Sequence, residues 1–247
     1  MLVTSYFSGL VGAGGTLIMI PSLIYVVPFL SGRHLDIHVI TSLGLVQGIT
    51  VGVGGGYQHW RKNRLSVTSL ETYGGVLAFG GILGAWASAK ASPIALVAVL
   101  ALLASVAATF LAINPQLGTH QRTVGRSIVA GILFLVVGFV GGLVGVGAGF
   151  LTAPLLIYWL GLDMRTASAT ALVFTLILCA PALTARAVTG QVDWSLAGVT
   201  AACAVLGAAF GSIHSGRFAP EVLRFGLAAV TTALALKMWV SIAFGLD

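Results

Sequence analysis

Two stretches decide how this chain folds: "GLVGAGGTL" at residues 9–17 and "GLVGVGAGF" at 142–150. Each sets glycines inside a run without charges, 1–32 for the first and 127–162 for the second. Glycine in a helix interior costs roughly 1 kcal/mol against alanine, so a phrase written twice in such runs needs a physical reason. Sliding the chain by 133 residues brings Gly9, Leu10, Val11, Gly12, Gly14, Pro21, Leu23, Ile24 and Tyr25 onto Gly142, Leu143, Val144, Gly145, Gly147, Pro154, Leu156, Ile157 and Tyr158. That is nine identities in seventeen positions, and the three glycines, the proline and the tyrosine exceed what apolar bias alone supplies. Weaker echoes follow, "TSL" at 41–43 with "TAL" at 170–172 and "LGAWAS" at 83–88 with "LGAAFGS" at 206–212. The pattern predicts two homologous halves, 1–113 and 127–247, joined by the polar stretch 114–126.

Outward from those phrases, the composition fixes the class. Of 247 residues, 58% are hydrophobic and 7% charged, against roughly 25% charged in soluble domains. The mean hydropathy is +1.05. A crossing helix needs ~20 apolar residues, and nearly charge-free segments run over 1–32, 37–60, 72–89, 91–121, 127–162, 166–185, 194–216 and 225–236. The expected fold is an all-α polytopic membrane protein with about eight transmembrane helices, or seven, in two repeats with broken or re-entrant glycine-rich helices. Nothing alternates with the period of a membrane β-barrel. The N-terminal apolar run exceeds a signal h-region and lacks a basic n-region, so it is expected to stay in the mature chain. Four crossings per half would make the halves parallel and an odd number would invert them; the sequence leaves this open.

The net charge of +6 rests on basic residues in the connections, densest in "RKNR" at 61–64. In a membrane protein this marks a cytoplasmic loop rather than a nucleic-acid surface. In an eight-span arrangement the signal is weak, because Arg33, Lys90, Arg165, Arg217 and Arg224 then fall on the other side. Trp60, Trp86, Trp159, Trp194 and Trp239 lie near expected span ends, as interfacial belts require. Cys179 and Cys203, both in apolar segments, read as small buried hydrophobes.

Two readings of the glycines compete. Small residues four apart let membrane helices pack closely, which suffices for Gly80–Gly84, Gly138–Gly142 and Gly207–Gly211. The duplicated phrases invite more. Glycines followed by Pro21 or Pro154 predict an interruption of the helix at membrane depth, tolerated only where backbone is buried in protein or lines a cavity. Such breaks aim half-helix N-termini, with their N–H groups and positive dipole ends, at anionic substrates. The expected backbone site is Gly12, Gly14, Gly15 and Thr16 from one copy with Gly145, Gly147 and Gly149 from the other. A dinucleotide fingerprint fails, since Leu17 and Phe150 stand where its third glycine belongs, and no Gly-Lys-Ser/Thr is present.

With these phrases in view, the chain resembles the TauE/SafE sulfite exporter family. "GLVGAGGTLIMIPSL", the following "TSL" and the basic residues before "RLS" carry the likeness, repeated as "GLVGVGAGFLTAPLL", "TAL" and "GQVDW". The resemblance covers essentially the whole chain. It implies a multi-pass permease of a bacterial or archaeal cytoplasmic membrane that exports sulfite, sulfonates such as sulfoacetate, or related organosulfur anions. The halves differ where Ala148 replaces a usual glycine, Ala171 stands opposite Ser42 and Asp193 opposite Ser66.

Other polar residues divide by their chemistry. Thr41, Ser42, Gln47 and Thr170 lie in apolar segments, either bonded back within their own helix or donating to substrate oxygens. Tyr57, His59 and Arg186 end corresponding spans and are candidates for a gate or anion attraction, with snorkelling as the plainer account of the arginine. His34 and His38 have zinc-ligand spacing without further ligands, so no metal and no cofactor is expected. Tyr25 and Tyr158 are duplicated interfacial anchors. No His-Glu-x-x-His and no Gly-x-Ser-Gly occurs, so an intramembrane metalloprotease or a rhomboid-like serine protease lacks its parts, and no enzyme is expected. The six acidic residues lie in or near loops, and without an embedded carboxylate relay a uniporter or weakly coupled carrier is expected. The expected partners are a small organosulfur anion and the lipid bilayer, with no nucleic acid; a homodimer is compatible with the sequence. The alternatives are a channel or permease for another small anion, and a membrane-embedded enzyme or assembly subunit.

Overall fold

A computed structural model describes residues 15–32, 35–61, 65–112, 124–215 and 220–244. Among them are nine helices and no strands: α1 (Gly15–Ser31), α2 (Ile37–Trp60), α3 (Val67–Ser88), α4 (Pro93–Ala112), α5 (Val124–Val144), α6 (Gly149–Leu160), α7 (Met164–Val188), α8 (Trp194–Ser215) and α9 (Pro220–Phe244). Within α2 and α7, the stretches Ile37–Tyr57 and Met164–Val188 are long and apolar enough to cross a membrane. Gly12, Gly14, His34, Lys62 and Arg64 lie outside the described residues, as does most of the 114–126 stretch.

Helix directions follow from which residues touch. Call the end where α2 begins the near face and the end where it stops the far face. A Cβ placed on Gly48 would meet Cys179 and Thr175, one on Gly52 would meet Leu176, and one on Gly56 would meet Val173. Partner numbers fall as α2 advances, so α7 runs antiparallel to it, from far to near. Against α3, Gly74 faces Ile177 and Gly81 faces Leu178, so α3 and α7 run the same way. Gly80 faces Leu135 and Phe139, and Gly84 faces Phe139 and Leu143; α5 is therefore parallel to α3 as well. Between α3 and α5 the glycines do what close packing asks. Cβ atoms at Gly80, Gly84, Gly138 and Gly142 would all strike backbone of the facing helix. Tyr73, Phe134 and Phe174 extend this contact into a cluster, with ring centroids 4.8 and 5.0 Å apart.

The run 127–162, where a broken or re-entrant helix is expected from the sequence, holds two helices, and the chain turns back between them. Leu143, in the last turn of α5, bonds through its carbonyl to Arg186 near the end of α7. Gly147 lies against Thr175, eleven residues earlier on α7, or ~16 Å back toward the far face. The twelve residues of α6 continue to the three-residue connection before α7. This α5–α6 pair is thus re-entrant. The prolines do not make the break. Pro154 lies inside α6, Pro21 and Pro28 inside α1, and Pro181 inside α7. Each proline forfeits one intrahelical bond, yet the helices run on; the interruption belongs to Gly145, at φ 75°, and the residues just after it.

Aspartates start two of the long helices. Asp36 accepts from the His38 N–H at 2.7 Å and Asp163 from the Thr166 N–H at 3.1 Å, each satisfying an orphan donor of the first turn. Bonds from the Thr166 side chain and backbone hold the Asp163 carboxyl below its ordinary pKa. A lowered carboxylate contributes stability above its ordinary titration range and loses it as pH falls through the folded value. Asp163→Ala should therefore cost about 1 kcal/mol at neutral pH. In detergent denaturation its deficit against wild type should shrink as the solution becomes acidic; a deficit independent of pH would contradict the charged cap.

Trp60 and Trp159 lie toward the far face and Trp86 and Trp194 toward the near face, all at or within two residues of helix ends, as aromatic belts would. Cys179 is buried and Cys203 half-buried, both unbridged.

Candidate functional site

The break occupies the centre of the bundle. Gly48 stands eleven residues into α2 and twelve from its end, and it shares Thr175 as a neighbour with Gly147. Thr16, in the first turn of α1, is the other group a Cβ on Gly147 would approach, at 3.7 Å from the hydroxyl oxygen. Ile20, one turn on, lies against Gly44 on the near side. So α6 begins near mid-depth, beside Thr16 of α1. From there α1 runs to the near face and α6 to the far face. The N-terminal end of α6 carries N–H groups without intrahelical acceptors and a partial positive charge. Ala148, the residue preceding α6, offers no side-chain cap. Val146, Ala148 and Gly149 are buried there.

The wall facing the break is α2. Thr41, Gly44 and Gly48 share one face at helical spacing. A Cβ on Gly145 would fall on the Thr41 carbonyl, and one on Gly44 would fall on the Gly145 carbonyl. Gln47 is fully buried on the same helix, three residues beyond Gly44. Thr175 completes the centre; its hydroxyl bonds back to Ala171 O at 2.9 Å while its methyl meets Gly147. Sequence reasoning missed Thr175. A threonine in the middle of a helix carries no signal until its neighbour is known.

The remaining residues singled out from sequence divide between the two faces. On the near side, Thr41 and Ser42 bond back to the first turn of α2, and Ser42 also reaches Gln191 O at 3.0 Å. Ser88, which is buried, and Thr189, which is exposed, join through the Gln191 side chain, forming a polar network that the sequence did not suggest. Arg186 does not snorkel. It is fully buried; Nη1 donates to Thr41 Oγ1, Ser42 Oγ and His38 O, and Nη2 donates to Gly142 O at 3.0 Å and Leu143 O at 2.7 Å. Thr170 lies sixteen residues before Arg186 on α7, ~24 Å away toward the far face, where it accepts from the Ser66 N–H at 3.0 Å. Tyr57 and His59 are also at the far end. Tyr57 is 57% exposed, tilted against Trp60 and under the Arg61 guanidinium. The expected gate residues thus lie at opposite faces, because the spans they end run in opposite directions. His38 has no cluster around it; among the described residues no group of three metal-ligating side chains occurs.

Comparison with known proteins agrees with this geometry in class. The family profile described as "Sulfite exporter TauE/SafE" matches residues 1–238. No curated protein and no solved structure matches the chain. With the profile spanning nearly its whole length, the chain belongs to the TauE/SafE sulfite exporter family, a family of membrane transporters.

Proposed function

We propose that this protein exports small sulfur oxyanions, sulfite and sulfonates such as sulfoacetate, across the cytoplasmic membrane, and that the anion passes the point where α1 and α6 begin. The observation that carries this reading is the buried break at mid-depth, with the start of α6 at it and Thr16 of α1 beside it. Backbone N–H groups of Gly15, Thr16, Gly147 and Gly149 then face the solute, helped by the polar groups of Thr16, Gln47 and Thr175. Irregular backbone at that depth is kept away from lipid, and here it is enclosed by α1, α2 and α7.

The halves are inverted repeats in this reading. The second half begins with the re-entrant pair α5–α6, which makes no net crossing, and each half has three crossings, α2–α4 or α7–α9. Three is odd, so the second half enters the bilayer from the opposite side, in keeping with the antiparallel packing of α2 and α7. This parity also strengthens the charge rule. Among the described residues Arg61, Arg126, Arg165 and Arg224 stand at or next to far-face helix ends, against Lys90 at the near face and Lys237, which packs on Tyr25 of α1. Four to two favours a cytoplasmic far face.

An anion leaving a negative interior gains ~2.3 kcal/mol per charge per 100 mV, so export needs no embedded carboxylate. Purified full-length protein in proteoliposomes loaded with sulfite should release it faster under an inside-negative potential, with little response to a pH gradient. No flux of sulfite, sulfoacetate or thiosulfate above protein-free vesicles would overturn the assignment. Flux that followed pH and ignored voltage would overturn the uniport mechanism.

A further inference from the structure

Arg186 is fully buried, yet every partner it has is neutral. Its five bonds end on two hydroxyls and three carbonyls, with no carboxylate among them. Its Nε–H is buried with no acceptor at all. Burying a cation without a counter-charge is among the costliest arrangements in a protein, and within a membrane protein such groups mark ion pathways. What offsets the charge here is the C-terminal end of α5, whose last carbonyls carry about half a negative charge. That end is also the arm of the re-entrant pair leading into Gly145. On the other side, the His38 carbonyl touches Arg186 while His38 lines a cavity of about 510 Å³ at the near face, bounded also by Pro28, Asp36, Ile40 and Pro93. A single residue of α2 therefore separates the guanidinium from a vestibule.

We propose that Arg186 is the outer latch of the permease and the group that recognises the charge of the solute. In this structure it ties α5 to the first turn of α2 and closes the near side. A sulfur oxyanion arriving from the centre takes the guanidinium in bidentate fashion, using the vacant Nε–H and an Nη–H. It displaces the Gly142 and Leu143 carbonyls, since a full negative charge outcompetes a helix end. Release of those carbonyls frees α5 from α2 and opens the way to the vestibule. This inference rests on the anion-export reading and assigns the residue that couples binding to opening.

The test uses the full-length protein in detergent and in proteoliposomes, with sulfite as probe and neutral dimethyl sulfone as control. Sulfite should raise the melting temperature of wild type. Arg186→Gln should lose that shift, and its sulfite efflux should fall about tenfold or more, the equivalent of one charge-assisted hydrogen bond; Arg186→Lys should retain part of both. Should Arg186→Gln fail to fold, wild-type protein labelled with ¹⁵N-arginine answers the same question. The Arg186 Nε–H resonance, assigned by its absence from Arg186→Lys, should move with sulfite and stay still with dimethyl sulfone. An undiminished sulfite shift in Arg186→Gln, or a resonance unmoved by sulfite that stabilises wild type, overturns the latch alone. Wild type indifferent to every sulfur oxyanion overturns the latch together with the reading beneath it.

Discussion

Gly145→Ala should sharply reduce the folded protein in the membrane. Two independent costs meet at this residue. Its φ of 75° is left-handed, which for alanine costs roughly 1–2 kcal/mol. Its new methyl would lie 1.8 Å from the Thr41 carbonyl oxygen and 2.5 Å from the carbonyl carbon. Both are backbone of a long buried helix, so relief requires the α5–α6 turn to withdraw from α2. That withdrawal breaks the reciprocal approach at Gly44 and disturbs Thr41, a partner of Arg186. Overpacking adds about 1–3 kcal/mol to the strain. The total, about 2–5 kcal/mol, reaches the lower end of the stability of an ordinary domain, ~5–15 kcal/mol. Gly190 separates the two costs. It has φ 74° but nothing within 4 Å of a Cβ, so Gly190→Ala should show strain alone, and asparagine, which tolerates this conformation, should relieve it there. Gly145→Asn should recover nothing. Size-exclusion profiles and melting curves in detergent measure all four variants; a well-folded Gly145→Asn would show that conformation, and not contact with α2, is what the glycine provides.

The contrast bears on what could be seen before the structure. The helical membrane class was legible because 7% charge over 247 residues permits little else. The packing roles of Gly80, Gly84, Gly138 and Gly142 were legible because spacing by four is a local property of one helix. The interruption at Gly145 was also foreshadowed, though the prolines that drew attention to it proved compatible with continuing helices. Which of the two expected forms the interruption takes, a broken crossing or a reversal between α5 and α6, was not legible. A charge-free run of 36 residues looks the same whether it crosses once with an overhang or turns back halfway, since both environments are apolar. That one unknown hid several others. It decides on which face Arg165, Arg217 and Arg224 lie, and it explains why Tyr57 and Arg186, at the ends of matching spans, sit at opposite faces. Thr175, Ser88 and Gln191 were hidden for a different reason. Their significance lies in partners more than twenty residues away in sequence, Gly147 for the first and the near-face network for the others.

Gly147→Ala should, in contrast to Gly145→Ala, give protein that folds but does not transport. Here the nearest atom to an added methyl is the Thr175 side-chain methyl at 2.6 Å, with the Thr16 hydroxyl next at 3.7 Å. No backbone stands in the way, and the φ is not left-handed, so the expected stability loss is about 1–3 kcal/mol of overpacking. Thr175→Ser removes the obstructing methyl and retains the hydroxyl. The double variant Gly147→Ala/Thr175→Ser should therefore recover most of the lost melting temperature. Transport distinguishes a packing glycine from a site glycine. Were close packing the only reason for Gly147, relieving the clash would restore sulfite efflux along with stability. If the solute must approach this stretch of backbone, the methyl covers the N–H groups whether or not Thr175 yields, and efflux stays near that of empty vesicles. Stability without flux in the double variant is the expected result. Full recovery of both would remove the 145–148 turn from the pathway and leave it as a joint between helices.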